Sequence, residues 1–187
     1  MIIDSHCHLD HFSAEDQAEI VARAERAGVA RMVTISTRLH QAPVQKAIAE
    51  RFSQVWCTVG VHPQQSGEND IPSVAEIVAT AEHPRVIGIG ESGLDYFYDK
   101  APRDVQQESF RRHIRAAREA GLPLCIHARD ADEDVARILA EEQRAGGAFA
   151  FLLHCFSSGR GLAEAALAMG GYLSFSGILT FPKSEEN

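Results

Sequence analysis

The sequence predicts an α/β fold in which a parallel sheet curls into a TIM-type (β/α)8 barrel, with seven strands present and the last strand missing. Three observations predict it. Short β-rich apolar runs alternate with amphipathic helical stretches along the chain, with no linker or low-complexity segment between them, which is the pattern of βαβ units. Polar residues gather at the carboxyl ends of the apolar runs, where parallel α/β folds place their sites and where a barrel brings strand ends to one mouth. The count reaches seven strands and six complete helices, whereas a closed barrel takes an eighth strand and about 250 residues. An open doubly wound sheet would also hold seven strands. The placement of the polar residues decides for the barrel.

The elements follow in order. The first strand is Met1-Ile2-Ile3, and a helix runs from about Ser13 to Ala27, where Ser13 with Asp16 resembles a capping box and Gly28 ends it. Ile20, Ala24 and Ala27 are expected to form its buried stripe. The second strand is Arg31 to Ser36, followed by a helix with Val44, Ala47, Ile48 and Phe52 on one face. The strand Val55 to Val61 comes next, then a helix opening near Pro72-Ser73 and the strand Val86 to Glu91. A long helix from about Asp104 to Ala120 repeats Phe110, Ile114 and Ala117 at helical spacing and closes at Gly121. Leu124 to His127 is the fifth strand, and Val135, Ile138 and Leu139 mark the helix after it. The strand Phe149 to His154, a helix through Ala163, Ala166, Leu167 and Met169, and the strand Tyr172 to Ser176 complete the count. Lys183 to Asn187 reads as the start of a further helix.

With 187 residues, 45% apolar and 24% charged, the chain reads as one globular domain, 1–187, incomplete at its C-terminal end. No charged segment leads into an apolar stretch at Met1, and no run reaches the roughly 18 to 20 apolar residues of a membrane span. The expectation is a cytoplasmic protein with no membrane association. Cys7, Cys57, Cys125 and Cys155 form no CxxC pair and are expected as free buried thiols in a reducing compartment. A net charge of -8 argues against a broad basic surface that grips nucleic acid by phosphate neutralisation. It leaves room for a metal-loaded site that holds one phosphodiester.

The strand tips carry His6 and His8, His62, Glu91, His127, His154 and Ser176. His6 and His8 lie two apart on an extended segment, so both side chains leave one face and can clasp a cation, while Cys7 points toward the helical layer. Glu91 lies in Gly88-Ile89-Gly90-Glu91-Ser92-Gly93, where glycines permit close backbone approach. Taken singly, His127 and His154 read as hydrogen-bonded strand-end histidines and Glu91 as a solvated carboxylate. Their shared placement turns them into a candidate ligand set: His6, His8, Glu91, His127 and His154. His11, His40, His83 and His113 are assigned to the surface. His62, before Pro63, fits a substrate contact better than a ligand, and Arg129 offers a planar fork for a phosphate oxygen, with a surface ion pair as the alternative.

Four imidazoles and one carboxylate exceed what one tetrahedral ion needs, and a carboxylate can bridge two ions. Two divalent ions are therefore expected, with Zn2+ or Mn2+ suited to the donors and Mg2+ left open. Such a pair supports hydrolysis by in-line displacement.

The motifs Asp4-Ser5-His6-Cys7-His8-Leu9-Asp10, Gly60-Val61-His62-Pro63, Gly90-Glu91-Ser92-Gly93-Leu94-Asp95, Ile126-His127-Ala128-Arg129, His154-Cys155-Phe156-Ser157-Ser158-Gly159 and Ser174-Phe175-Ser176-Gly177 resemble the TatD family of metal-dependent deoxyribonucleases over the whole chain in order. The resemblance implies a barrel hydrolase in which His6 and His8 bind one metal, His127 and His154 bind the second, and Glu91 bridges and serves catalysis. It also implies 3′ to 5′ exonuclease or DNA-fragmenting activity, with single-stranded DNA or 3′ ends as substrate and no obligate protein partner. Some relatives are described as removing D-amino acids from tRNA. The chain departs from the family where an eighth strand with a Glu-Thr-Asp motif would supply an aspartate to the first metal, so weak first-site binding is expected. Two rival readings stand beside this one. A small-molecule amidohydrolase or phosphotriesterase-like enzyme commonly bridges its metals with a carboxylated lysine, and no lysine occurs in the fourth strand here. A truncated, catalytically silent chain that only binds metal is the other.

Overall fold

The computed structural model describes residues 2–182, and the helix start expected at Lys183 to Asn187 lies outside the described residues. Seven strands, β1 (Ile2–Cys7), β2 (Val29–Thr34), β3 (Val55–Val59), β4 (Val86–Asp95), β5 (Leu124–Arg129), β6 (Phe151–Leu153) and β7 (Tyr172–Leu173), form one sheet in chain order. Every neighbouring pair is parallel. Six helices fill the crossovers: α1 (Ala14–Arg26), α2 (Ala42–Arg51), α3 (Val74–Ala81), α4 (Arg103–Ala120), α5 (Asp132–Gly146) and α6 (Arg160–Ala168). The sheet curls. Ser5 Oγ on β1 and Ser174 Oγ just past β7 lie 3.3 Å apart although their strands stand at opposite ends of the order. This is a TIM-barrel-type α/β fold with seven strands among the described residues.

Strands β1, β4 and β5 run further than the apolar runs suggest. β4 continues past Glu91, pairing Ser92 with Ile126, Gly93 with His127, Leu94 with Ala128 and Asp95 with Arg129. Backbone pairing does not depend on side-chain polarity, so a strand continues while its side chains turn polar toward the mouth.

The helices start and stop on local signals. The Ser13 hydroxyl accepts from Asp16 N–H, and Ser73 with Glu76 forms a reciprocal capping box. Gly121, at φ +65°, closes α4 in the left-handed conformation. Phe110, Ile114 and Ala117 of α4 and Val135, Ile138 and Leu139 of α5 are buried as the spacing predicts. Two helix faces need correction. In α1 the inward stripe is Gln17, Ile20, Val21 and Ala24, and Ala27 is exposed. In α2 Val44 and Ala47 face solvent, while Gln45 is buried with Ile48 and Ala49. Gln45 turns inward because its amide accepts from the Thr34 hydroxyl at 2.9 Å and donates to Ile35 O at 3.1 Å, so a polar residue is satisfied where an apolar one was expected.

All four cysteines are free, with Cys57 and Cys125 buried and Cys7 and Cys155 partly so. Among the described residues no helix is long and apolar enough to cross a membrane.

His113 is the third correction. Rather than lying on the surface, it is completely buried on the inner face of α4. Its Nδ1 donates to Ser109 O at 2.7 Å, since a carbonyl can only accept, and its Nε2 accepts from Val61 N–H at 3.0 Å. Both bonds require the neutral ring, and burial holds the pKa down to about 4. The unfolded chain takes up a proton near pH 6.5 that the native state refuses, so this residue's stability is intact above pH 6.5 and is lost as pH falls toward 4. The loss expected from this residue is about 3 kcal/mol at most. Urea unfolding of the parent chain and of His113→Gln across pH 8 to 4 checks it. A parent whose acid loss is no steeper than the variant's would contradict the assignment.

Candidate metal centre

Three strands and the ends of two more deliver the polar cluster at the mouth. β1 carries His6, and His8 follows its last residue. His62 caps the 3-10 turn Pro63–Gln65 after β3. Glu91 and Asp95 come from β4, His127 from β5, and His154 follows β6. Glu91 sits at the centre, 2% exposed. Its Oε2 lies 3.3 Å from His6 Nε2 and 4.0 Å from His8 Nε2. Its Oε1 lies 3.1 Å from His127 Nδ1, 2.5 Å from His154 Nε2 and 3.6 Å from His62 Nε2.

The five predicted ligands are thus brought together, and His62 stands with them. Arg129 is elsewhere: it is exposed, with its guanidinium 4.1 Å from the Phe97 ring centroid. Sequence reasoning missed Asp95, which is fully buried and accepts from His127 Nε2 at 3.1 Å, Gln64 Nε2 at 2.7 Å and Tyr98 N–H at 2.9 Å. Its signal was the spacing of four from Glu91 in a strand, which puts both carboxylates on one face.

Burial pushes the Glu91 carboxyl up, yet the surrounding imidazoles of His154, His127 and His6 outweigh it and hold the group well below the usual carboxylate range. Burial lowers His6 and His8, and takes His62 down to about 4. Burial would lower His127 as well, but its hydrogen bonds to Asp95 and Glu91 prevail and raise it to about 9. Asp95 is pushed up by burial and pulled below its ordinary value by His127, Tyr98 N–H and Gln64.

The donor set fits a cation. His6 Nε2 and His8 Nε2 are 3.2 Å apart, close to the roughly 3.3 Å between two nitrogens on a tetrahedral ion with bonds of about 2.0–2.1 Å. His154 Nε2 approaches Glu91 but makes no hydrogen bond of acceptable geometry, and His8 Nδ1 is buried without a partner. A ring nitrogen orphaned against a buried carboxylate, as His154 Nε2 is, is what a ligand looks like. Among the described residues three groups have ligand atoms close enough to share an ion: His6, Glu91 and His154; His62, Glu91 and His127; and His8, Asp10 and His11. The first two share Glu91.

A curled parallel α/β sheet with imidazoles and a carboxylate at its strand ends defines the class of barrel-type metal-dependent hydrolases. Within that class, the chain belongs to the TatD related DNase family, whose model matches residues 3–187. It is 35% identical to the "Uncharacterized metal-dependent hydrolase YabD" of Bacillus subtilis (strain 168), over all of this chain and 72% of that protein. It is 32% identical to the "3'-5' ssDNA/RNA exonuclease TatD" of Salmonella typhimurium (strain LT2), over 88% of this chain and 62% of that one. The solved structure of YJJV, a TatD homolog from Escherichia coli k12, superposes with a TM-score of 0.87 at 26% identity, covering 98% of this chain and 71% of that one.

Asp95 holds the ring nitrogen of His127 that faces away from Glu91, the arrangement by which an outer carboxylate orients a ligand and raises its basicity. Asp95→Asn is expected to weaken divalent-metal affinity by about 10- to 100-fold, measured by calorimetric titration with Mn2+ or Zn2+. Unchanged affinity would show that His127 needs no such support.

Proposed function

We propose that the chain hydrolyses phosphodiester bonds of nucleic acid, single-stranded DNA or 3′ ends in particular, at a centre for two divalent ions bridged by Glu91. One observation carries the reading: the two carboxylate oxygens are divided, Oε2 facing His6 and His8 and Oε1 facing His127, His154 and, further off, His62. A carboxylate with imidazoles on each oxygen would suit a position between two ions, His6 and His8 holding one and His127 and His154 the other. Two ions held there would lower the pKa of a shared water and neutralise the attacking and leaving oxygens. The imidazole-rich donors favour Zn2+ or Mn2+ over Mg2+.

His62 has a different part. Its Nδ1 accepts from Gln64 N–H at 3.1 Å, so the neutral ring carries its proton on Nε2. That N–H points toward Glu91 Oε1 at 3.6 Å, too far for a hydrogen bond, and a protonated nitrogen supports a substrate contact over a ligand. Arg129 offers its fork to a phosphate oxygen from the side. The name of the Salmonella relative, an ssDNA/RNA exonuclease, supports nucleic acid as the substrate class.

Incubation with a 3′-labelled single-stranded oligonucleotide and Mn2+ or Mg2+ is expected to release label, and EDTA to stop it. Glu91→Ala is expected to lower the rate by more than the about 10- to 100-fold typical of losing an outer partner. Label release that survives the substitution would overturn the site, and hydrolysis confined to small esters or amides would overturn the substrate.

A further inference from the structure

A cleft of about 910 Å3 leads away from His127 and His154 between the segments that follow β4, β5 and β6. On the β4 side the chain exposes two adjacent aromatic rings, Phe97 at 55% and Tyr98 at 51%. The rings meet edge to face with centroids 4.9 Å apart. Their position relative to the metal centre is set by one side chain. Asp95 accepts the Tyr98 N–H on Oδ1 and His127 Nε2 on Oδ2, so the carboxylate that orients a ligand also anchors the aromatic pair. Phe97 is two residues from Asp95, within about 7 Å along the chain.

Arg129 completes the arrangement. Its guanidinium lies 4.1 Å from the Phe97 centroid and 4.9 Å from that of Tyr98, held by the ring faces. It has no carboxylate partner among the described residues, although Asp130, Asp132, Glu133 and Asp134 line the same cleft. Arg103, the other cleft arginine, is taken by Asp99 and the Tyr96 ring. Arg129 and Phe97 line the cleft, Tyr98 stands beside them, and Lys100 Nζ lies 5.8 Å from the Tyr98 ring, so two exposed rings meet two cations without carboxylate partners among the described residues, in a chain of net charge -8. Such a surface cannot hold a strand by neutralising many phosphates. It can hold one by stacking, which is tolerant of base identity.

We propose that Phe97 and Tyr98, with Arg129 beside them, form a stacking platform for an unpaired nucleobase next to the phosphodiester at the metal centre. The inference rests on the nuclease reading of that centre and adds the basis of strand selection: a base held on the platform has left its duplex partner, so single-stranded or frayed ends enter and paired ends do not.

The test is fluorescence anisotropy with the full chain, Mn2+ and two probes: a single-stranded phosphorothioate oligonucleotide, and the same oligonucleotide with abasic residues at its 3′ end. Phe97→Ala is expected to weaken binding of the first probe by about 5- to 150-fold, the range for stacking one base, and to leave the second unchanged. Phe97→Trp restores the first. Both rings are exposed, so their removal spares the core. The logarithm of affinity is expected to fall against the logarithm of salt with a slope between about -0.7 and -1.4, one or two phosphates' worth on a single strand for Arg129 and Lys100. Equal weakening of both probes, no change in either, or a salt slope of several phosphates would overturn the platform. A hydrolysis assay on the unmodified oligonucleotide separates the two readings. Metal-dependent cleavage with base-indifferent binding removes the platform and leaves the nuclease. Base-dependent binding without cleavage supports the platform and removes the nuclease.

Discussion

A single carboxylate taken out of water sets the demands that the surrounding architecture meets. Burying an unpaired carboxylate costs several kcal/mol, and Glu91 is 2% exposed. Five imidazoles come within 4.0 Å of it, and they arrive from β1, β3, β5, β6 or their ends, so no single hairpin or helix could supply them. Only a curled sheet does. The curl in turn requires backbones to touch around β4. A Cβ at Gly60 would lie 2.6 Å from Gly90 Cα, and one at Gly93 would lie 2.0 Å from His127 O. Gly93 also holds φ at +141°, a conformation that other residues rarely adopt. The glycines flanking Glu91 are thus the condition for placing it among its histidines.

Support for the mouth comes from α4, outside the sheet. Gln106 and His113 are seven residues apart and share its inner face with Phe110. Gln106 accepts Asp95 N–H at 2.8 Å and donates to Asp95 O at 3.2 Å, fixing the end of β4. His113 holds Val61 N–H, one residue before His62. The longest helix among the described residues therefore also places two of the polar groups nearest the metal centre. Core packing and site geometry cannot be altered independently there.

Most of this was legible in the sequence where residue type and position coincide. Histidines and a glutamate at strand tips have few uses other than a shared site, and parallel α/β topology brings tips together whatever the loops between them do. The residues that escaped are those whose meaning lies in a partner distant in sequence. Gln45 faces inward only because Thr34 and Ile35 receive it. His113 among arginines and glutamates reads as surface until Val61 and Ser109 appear on either side of its ring. Asp95 looks like a loop residue because β4 reads as ending at Glu91, whereas the ladder with β5 carries it four residues further.

His62 and His127 show why residue type alone does not assign a role within such a cluster. Both approach Oε1 of Glu91, and both are largely buried. His62 receives a backbone N–H on its other nitrogen, which favours the neutral ring, and its pKa falls to about 4. His127 faces a carboxylate on each side, and its pKa rises to about 9. An imidazolium between Glu91 and Asp95 offsets two buried negative charges, which a neutral ring there would leave uncompensated at a cost of several kcal/mol. Position on the carboxylate is shared, and the second hydrogen bond decides the charge. The pair thus divides into a neutral ring and a charge-balancing one.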